Sequence, residues 1–296
     1  MAGINMNRTT EGVVLPTEVS SEIWGKTVEN SAVMATARQI RLPGGGIEIP
    51  IITGEPEAGW VNETERKPVS EHTLSSKKIQ AYKLAVIEIF SDEFKRDLPT
   101  LYAELVRRLP YALGRKFDQT VLGAVSAPGD NFDKLNDTTA VDLDSANLYQ
   151  SLAGVYSAIA ASGGSMSHWI TSPVFQGTLL GATDGFGRPL FTPDATTSNT
   201  VGQMLGLPIV KASGLEEGVL GYAGDFSGGA VFGTVEGVKV DLNPNPVVHK
   251  GDVVISGWES NMFGVRAEIE VGFRVVDKNR FVKITDGTQA PDPEEG

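Results

Sequence analysis

The sequence predicts an α+β fold, on three observations. One long stretch, Ser91 to Gly123, keeps apolar residues at helical spacing. Upstream of it, two segments of alternating apolar residues flank a polar tip. Downstream, short helix and strand patterns are mixed before a final alternating stretch.

Taken in order, Met1 to Gly12 is small and polar and reads as an arm, disordered or held only by a partner. Pro16 precedes Glu18, Val19, Ile23, Trp24 and Val28, an amphipathic helix pattern ending near Asn30, and Val33 to Ile40 reads as extended. Pro43-Gly44-Gly45-Gly46 is a turn leading into Ile47, Ile49 and Ile51 in strict alternation. Residues 53 to 76 are rich in Gly, Pro and charge, with Trp60 and Val61 as the apolar exceptions, before Ile79, Tyr82, Leu84, Val86, Ile87 and Ile89 resume. Two extended limbs around a loop this long imply a functional projection or disorder.

The long stretch places Phe94, Leu98, Leu101, Leu105, Leu109, Leu113, Phe117 and Val121 on one stripe. Ser91 is the expected cap, with Asp92, Glu93 and Asp97 favoured by the positive end of the helix dipole. Gly123 is the stop. A helix of that span would be about 50 Å long. Pro110 should bend it, because proline removes a backbone donor and crowds the preceding turn, whereas Pro99 lies early enough to be tolerated.

After a Pro, Gly and Asp-rich boundary at 126 to 139, Leu148, Leu152, Val155, Tyr156 and Ile159 mark a second helix, closed by Gly163-Gly164. Trp169-Ile170 reads as a short strand, Ser172-Pro173 as a helix start, and 184 to 190 as a dense turn. Strands are expected at Ile209-Val210, 218 to 222, 230 to 232 and 239 to 241. The stretch from Arg266 to Ile284 alternates with a turn at 277 to 279, and an acidic, Pro-containing tail follows.

A chain of 296 residues is long enough for a sizeable core, yet 34 glycines and 16 prolines describe many turns and extended excursions. A formal charge of −12 disfavours a general nucleic-acid-coating surface, which needs clustered Lys and Arg. With no cysteine, disulfides and thiolate metal sites are excluded. No apolar run approaches the roughly 20 residues of a membrane span, and the N-terminus carries no secretory pattern, so a soluble protein made in the cytoplasm is expected.

Chemistry is sparse. His72, His168 and His249 are isolated and read as structural or exposed. Gly185-Phe186-Gly187-Arg188 and Gly228-Gly229 lack both the P-loop lysine and the dinucleotide fingerprint. Glu63 with Glu65, and Glu216 with Glu217, are acid pairs in polar loops and read as solvated. No enzymatic activity, cofactor or metal is expected.

The order of these elements, with several local motifs, resembles the tailed-phage major capsid protein family with the Hong Kong 97 fold. The resemblance is carried by Leu15-Pro16 with Glu18-Val19, by Ala58-Gly59-Trp60-Val61-Asn62-Glu63, and by Lys83-Leu84-Ala85 leading into Ile89-Phe90-Ser91-Asp92-Glu93. Phe117-Asp118 with Leu122-Gly123 looks like the end of that family's spine helix. Asp184-Gly185-Phe186-Gly187-Arg188-Pro189-Leu190, followed by Leu205-Gly206-Leu207-Pro208-Ile209-Val210, looks like its axial domain. Arg266-Ala267-Glu268 to Phe273-Arg274-Val275, then Phe281-Val282-Lys283, resembles its returning strands. The motifs appear in the family's order from about residue 13 to 285.

The resemblance implies an N-terminal arm (1–42), an extended loop (43–82), a peripheral domain with the spine helix (83–139), an axial domain (140–240), returning peripheral strands (241–285) and a tail (286–296). It implies hexamers and pentamers forming an icosahedral shell around double-stranded phage DNA, contacted without sequence specificity, in a virion assembled in the host cytoplasm. A separate scaffolding protein, favoured over a trimmed mature chain by the initial Met, a portal and a decoration protein would be its partners. Candidate intersubunit contacts are Trp60, Val61 and Glu63 in the loop, and Gly185, Gly187, Arg188 and Pro189 around a symmetry axis. From residue chemistry, Trp60 is equally an intersubunit anchor or an aromatic packed within its own subunit. The prototype's Lys and Asn crosslink would fall to Lys67, Lys77 or Lys78 with Asn243, Asn245 or Asn261, which look like ordinary surface residues. An encapsulin-type shell with protein cargo shares the fold, and a globular hydrolase or binding protein is the rival of another class.

Overall fold

The computed structural model describes residues 17–53, 60–62, 66–67, 73–93, 98–144, 147–182, 188 and 200–287. The first elements are helices α1 (Thr17–Asn30) and α2 (Ala32–Thr36), followed by strands β1 (Arg38–Arg41) and β2 (Ile47–Thr53). Next come β3 (Thr73–Ile79), β4 (Tyr82–Ser91) and the long helix α3 (Leu98–Val121). The following segment holds β5 (Thr139–Asp142), α4 (Leu148–Ala161), β6 (His168–Thr171), α5 (Pro173–Gly181), β7 (Thr200–Met204), β8 (Leu207–Lys211) and β9 (Val219–Gly224). The last elements are α6 (Phe226–Gly229), β10 (Ala230–Thr234), β11 (Lys239–Asn243), β12 (Val247–Lys250), β13 (Val253–Ser256), α7 (Gly257–Ser260), β14 (Met262–Val275) and β15 (Phe281–Thr285).

The apolar stripe of α3 does what its spacing requires. Leu101, Leu105, Leu109, Leu113, Phe117 and Val121 are all buried. Each buried side chain of this size contributes about 1.5–3 kcal/mol by leaving water, which outweighs the proline at position 110 that remains inside the helix. Pro99 occupies the first turn, where its missing donor costs nothing. Gly123 ends the helix with φ +90, a conformation that disfavours side chains.

Two expectations bear on this region, and the second is corrected. Ser91 is the last residue of β4 and pairs with Met262, and the amide of Asp92 donates to the Asn261 carbonyl at 2.9 Å. The Ser91 hydroxyl accepts from the Glu93 amide at 3.4 Å, so Ser91 is both a strand end and the acceptor of a short turn at 92–93. β4 makes a ten-residue ladder with β14 up to Ser91, and the helix as described, from Leu98, is about 36 Å long. Phe94 and Asp97 lie outside the described residues. Residues 33 to 36 are helical rather than extended, because the carboxylate of Asp118 accepts from the amides of Ala32 and Val33 at 2.8 and 3.2 Å while Ser31 caps Met34.

β14 organises one sheet. β4 runs antiparallel along one of its edges, while β11 and β10 pair in tandem with the other, and β1 adds parallel to β10. Against this sheet lies the α3 stripe, through an aromatic cluster in which Phe117, Phe132 and Phe273 have centroids 6.1–6.3 Å apart. A second sheet has the order β5-β15-β9-β6-β8-β7. Its own core joins Leu152, Val155 and Ile159 of α4 to Trp169, Phe175, Ile209 and Ile284. The segment 241–285 is therefore shared between the sheets, with β14 in the first and β15 in the second, and β10 joins the first although it precedes residue 240. Residues 229–230 and 276–280 carry the chain between them, closed by the Val276 amide donating to the Gly229 carbonyl at 2.8 Å. Tyr222 of β9 donates its hydroxyl to the Leu122 carbonyl at 2.6 Å, fastening the second sheet to the end of α3.

Candidate functional site

The first limb read from the sequence, β2, forms a separate antiparallel hairpin, but not with the expected second limb. Tyr82 to Ile89 belong to β4 and pair with β14, and the partner of β2 is β3, whose residues 73 to 76 come from the stretch read as a polar tip. β2 and β3 pair over seven positions, from Ile47 with Ile79 to Thr53 with Thr73. Two strands alone are marginally stable in water, so the base of the hairpin matters. Ile79 is fully buried there, and Lys77 donates its ammonium to the Val275 carbonyl at 2.8 Å. Arg274 completes the clamp. Its guanidinium donates to the Lys78 carbonyl at 2.7 Å, to Asp133 at 2.8 Å and to the Asn131 side-chain oxygen at 2.9 Å. The other Asp133 oxygen accepts from the Val275 amide at 3.0 Å. A planar donor fork holding a loop, a strand end and a carboxylate at once sets the direction in which the hairpin leaves the body. None of these anchors was singled out from the sequence as a positioning group, since Arg274 meets Asp133 across 141 residues of chain.

Beyond the ladder, Trp60 is fully exposed at 105% and Val61 is exposed at 40%. Packing within its own subunit, one of the two readings of Trp60, is therefore not what the chain adopts. Glu63, Gly185, Gly187 and Pro189 lie outside the described residues, while Arg188 is exposed. Among the proposed crosslinking residues, Lys77 is committed to the hairpin base, and Asn261 ends α7 in the left-handed conformation at φ 51.

A second exposed surface went unread. The hairpin of β12 and β13 shows Val247, Val253 and Val254, and α7 after it shows Trp258, all more than half exposed, and Val247 lines one cavity with Ile87 of β4. The signal was present in the sequence as two valine pairs around Lys250-Gly251-Asp252, a strand, turn and strand.

Burial perturbs several of the described titratable groups. Asp118 is fully buried, and desolvation pushes its carboxyl up to about 6 against the hydrogen bonds from Ser31, Ala32 and Val33 that favour the charged form. His168, on β6, is lowered by burial and lies 3.1 Å from the Ser167 hydroxyl. His249 and the acid pair Glu216 and Glu217 are exposed, and His72 lies outside the described residues. Among the described residues no cluster of three His, Asp or Glu side chains is placed to hold a metal.

Comparison with known proteins bears on these surfaces. The probable major capsid protein gp17 of Mycobacterium phage L5 is 28% identical, over 95% of this chain and 92% of its own length. A solved structure from Microbacterium phage Oxtober96 superposes with a TM-score of 0.68 at 21% identity, covering 86% of this chain and 90% of that one. The capsid of an empty GTA particle superposes with a TM-score of 0.63 at 14% identity, covering 86% and 89%. These likenesses show the Hong Kong 97-type α+β fold. The phage capsid family model matches residues 11–286, and the chain belongs to that family.

Proposed function

We propose that this chain is the major capsid protein of a tailed phage, assembling as hexamers and pentamers into an icosahedral shell around double-stranded DNA, with the virion capsid as its place of work. The observation that carries the reading is the family match over residues 11–286 in a chain whose clamped hairpin projects with its tryptophan fully exposed. In this assignment the β14-centred sheet with α3 is the peripheral domain, the six-stranded sheet is the axial domain, and residues 43–82 are the extended loop. The boundaries at 139/140 and 240/241 become approximate, because β10 and β15 cross between the two units.

The loop lies over a neighbouring subunit, where Trp60, Val61 and Glu63 anchor it and the exposed faces of its strands are covered. Gly185, Gly187, Arg188 and Pro189 shape a loop around a symmetry axis. Many modest contacts repeated over a closed shell add up to a stable particle. A net charge of −12 keeps packaged DNA from condensing on the protein. A separate scaffolding protein, a portal and a decoration protein are the expected partners, and the role is mechanical.

Electron microscopy of the protein expressed with its neighbouring genes tests this. Closed polyhedral shells or hexameric tubes are expected. A discrete monomer or dimer under shell-forming conditions would overturn the reading in favour of a globular binding protein, and small DNA-free shells holding protein would favour the encapsulin-type alternative.

A further inference from the structure

A cavity of about 160 Å³ opens between β4, the last turns of α3 and residues 125–132. Its floor is apolar, formed by Leu84, Phe117, Phe132 and Val271, and two cations, Lys83 and Lys116, stand at its rim. The walls are fixed. Tyr82 accepts from the Asn131 amide at 3.2 Å, and its ring meets Phe132 edge-on with centroids 6.3 Å apart. An apolar cavity of about 150 Å³ suffices for a benzene ring, while sites for drug-sized molecules run to about 300 Å³ and above. The space suits one aromatic side chain. Lys116 is exposed and has no carboxylate partner among the described residues, and Lys83 reaches Glu270 only at 3.5 Å with most of its side chain in solvent.

The complementary shape is in the same sequence. Trp60 is fully exposed and flanked at three residues on either side by Glu57 and Glu63. An aromatic knob with two nearby acids matches an apolar socket with two lysines at its rim, and Lys116 can lie over the indole face. The socket adjoins the base of its own hairpin through Tyr82 and Lys83, whereas Trp60 lies beyond the last pair of the ladder, Thr53 with Thr73. That ladder is about 20 Å long. The seven residues from Thr53 to Trp60 would cover it only when nearly fully extended, since each spans at most about 3.5 Å. We propose that this socket receives Trp60 from a second copy of the chain, which rests on the shell-subunit reading and names the surface where its extended loop docks.

The chain has no cysteine, so paired cysteines report the contact without background. Particles are made from Val61→Cys with Thr120→Cys, from each single variant, and from Val61→Cys with Val247→Cys, whose second site lies on the β12–β13 hairpin. Oxidation should give a covalent ladder beyond the dimer on a non-reducing gel for the first pair alone. A second probe replaces Trp60 with photoreactive benzoylphenylalanine and co-assembles it with the unmodified chain, and crosslinks should map to residues 116–132 of another subunit. Shells that give neither the ladder nor these crosslinks, or that crosslink to residues 246–266 instead, overturn the socket and leave the shell reading standing. Failure of the unmodified chain to form shells with its neighbouring genes overturns both.

Discussion

The hydroxyl of Ser31 donates to the carboxylate of Asp118 at 2.6 Å, although 87 residues separate them. Through this bond and the amides of Ala32 and Val33, a single acid in the spine helix starts α2 and ties the N-terminal helices to the body. Asp118→Ala should strand these buried donors and cost about 3 kcal/mol or more. Ser31→Ala, which loses the cap but keeps the carboxylate, should cost about 1 kcal/mol. Urea unfolding of the subunit measures both, and equal effects would contradict the central role given to Asp118.

The same residue predicts a pH dependence. Its carboxyl is raised to about 6 in the folded chain from an ordinary value of 3.8, so between these values the folded state holds the proton more tightly than the unfolded one. Its contribution to stability is therefore greatest below about pH 4 and declines as pH rises through 6, by about 3 kcal/mol in all. Comparing wild type with Asp118→Asn from pH 4 to 7.5 isolates this component. A difference between the two chains that stays flat across that range refutes it.

Arg274 holds the hairpin base with a side chain only 12% exposed, matched by an Asp133 of equal burial. Arg274→Ala leaves that carboxylate unpaired and should cost about 3 kcal/mol. Hydrogen exchange should quicken in Ile47–Thr53 and Thr73–Ile79 while the α3 amides stay protected. Uniform loss of protection would mean that the clamp supports the whole body rather than the hairpin.

Trp60→Ala removes no packing from its own subunit, so the folded chain should keep its stability within about 0.5 kcal/mol. Shell yield should nevertheless fall several-fold. Light scattering of the assembly mixture reads the yield, and normal shells from this variant would remove Trp60 from the contact.

Leu105 is fully buried mid-stripe, and the segment around it already carries Pro110. Leu105→Pro should cost about 3 kcal/mol or more by removing a second backbone donor and a packed side chain. Far-ultraviolet circular dichroism of the soluble fraction would show the loss, and an unchanged helical signal would contradict the assignment of the spine.

What the sequence determined by itself are features written in local periodicity. The α3 stripe is legible because burial of one helix face imposes spacing on neighbouring residues, and the alternation of Ile47, Ile49 and Ile51 because successive strand residues point to opposite faces. The start at Ser172-Pro173 and the stop at Gly123 are legible because a cap and a left-handed turn each select particular residue types. Exposure of Trp60 and Val61 agrees with their place in a polar loop, but the socket offered here to Trp60 could not be read, since its walls come from β4, α3 and a loop far apart in sequence. Tertiary structure alone decided three further points. It made Ser91 a strand end because β14 offered a ladder, and made residues 33 to 36 helical because Asp118 offered acceptors. It also divided 241–285 between two sheets because β14 and β15 have different partners. In each case the deciding group lies dozens of residues away or more, and a long-range hydrogen bond leaves no periodicity in the segment that receives it.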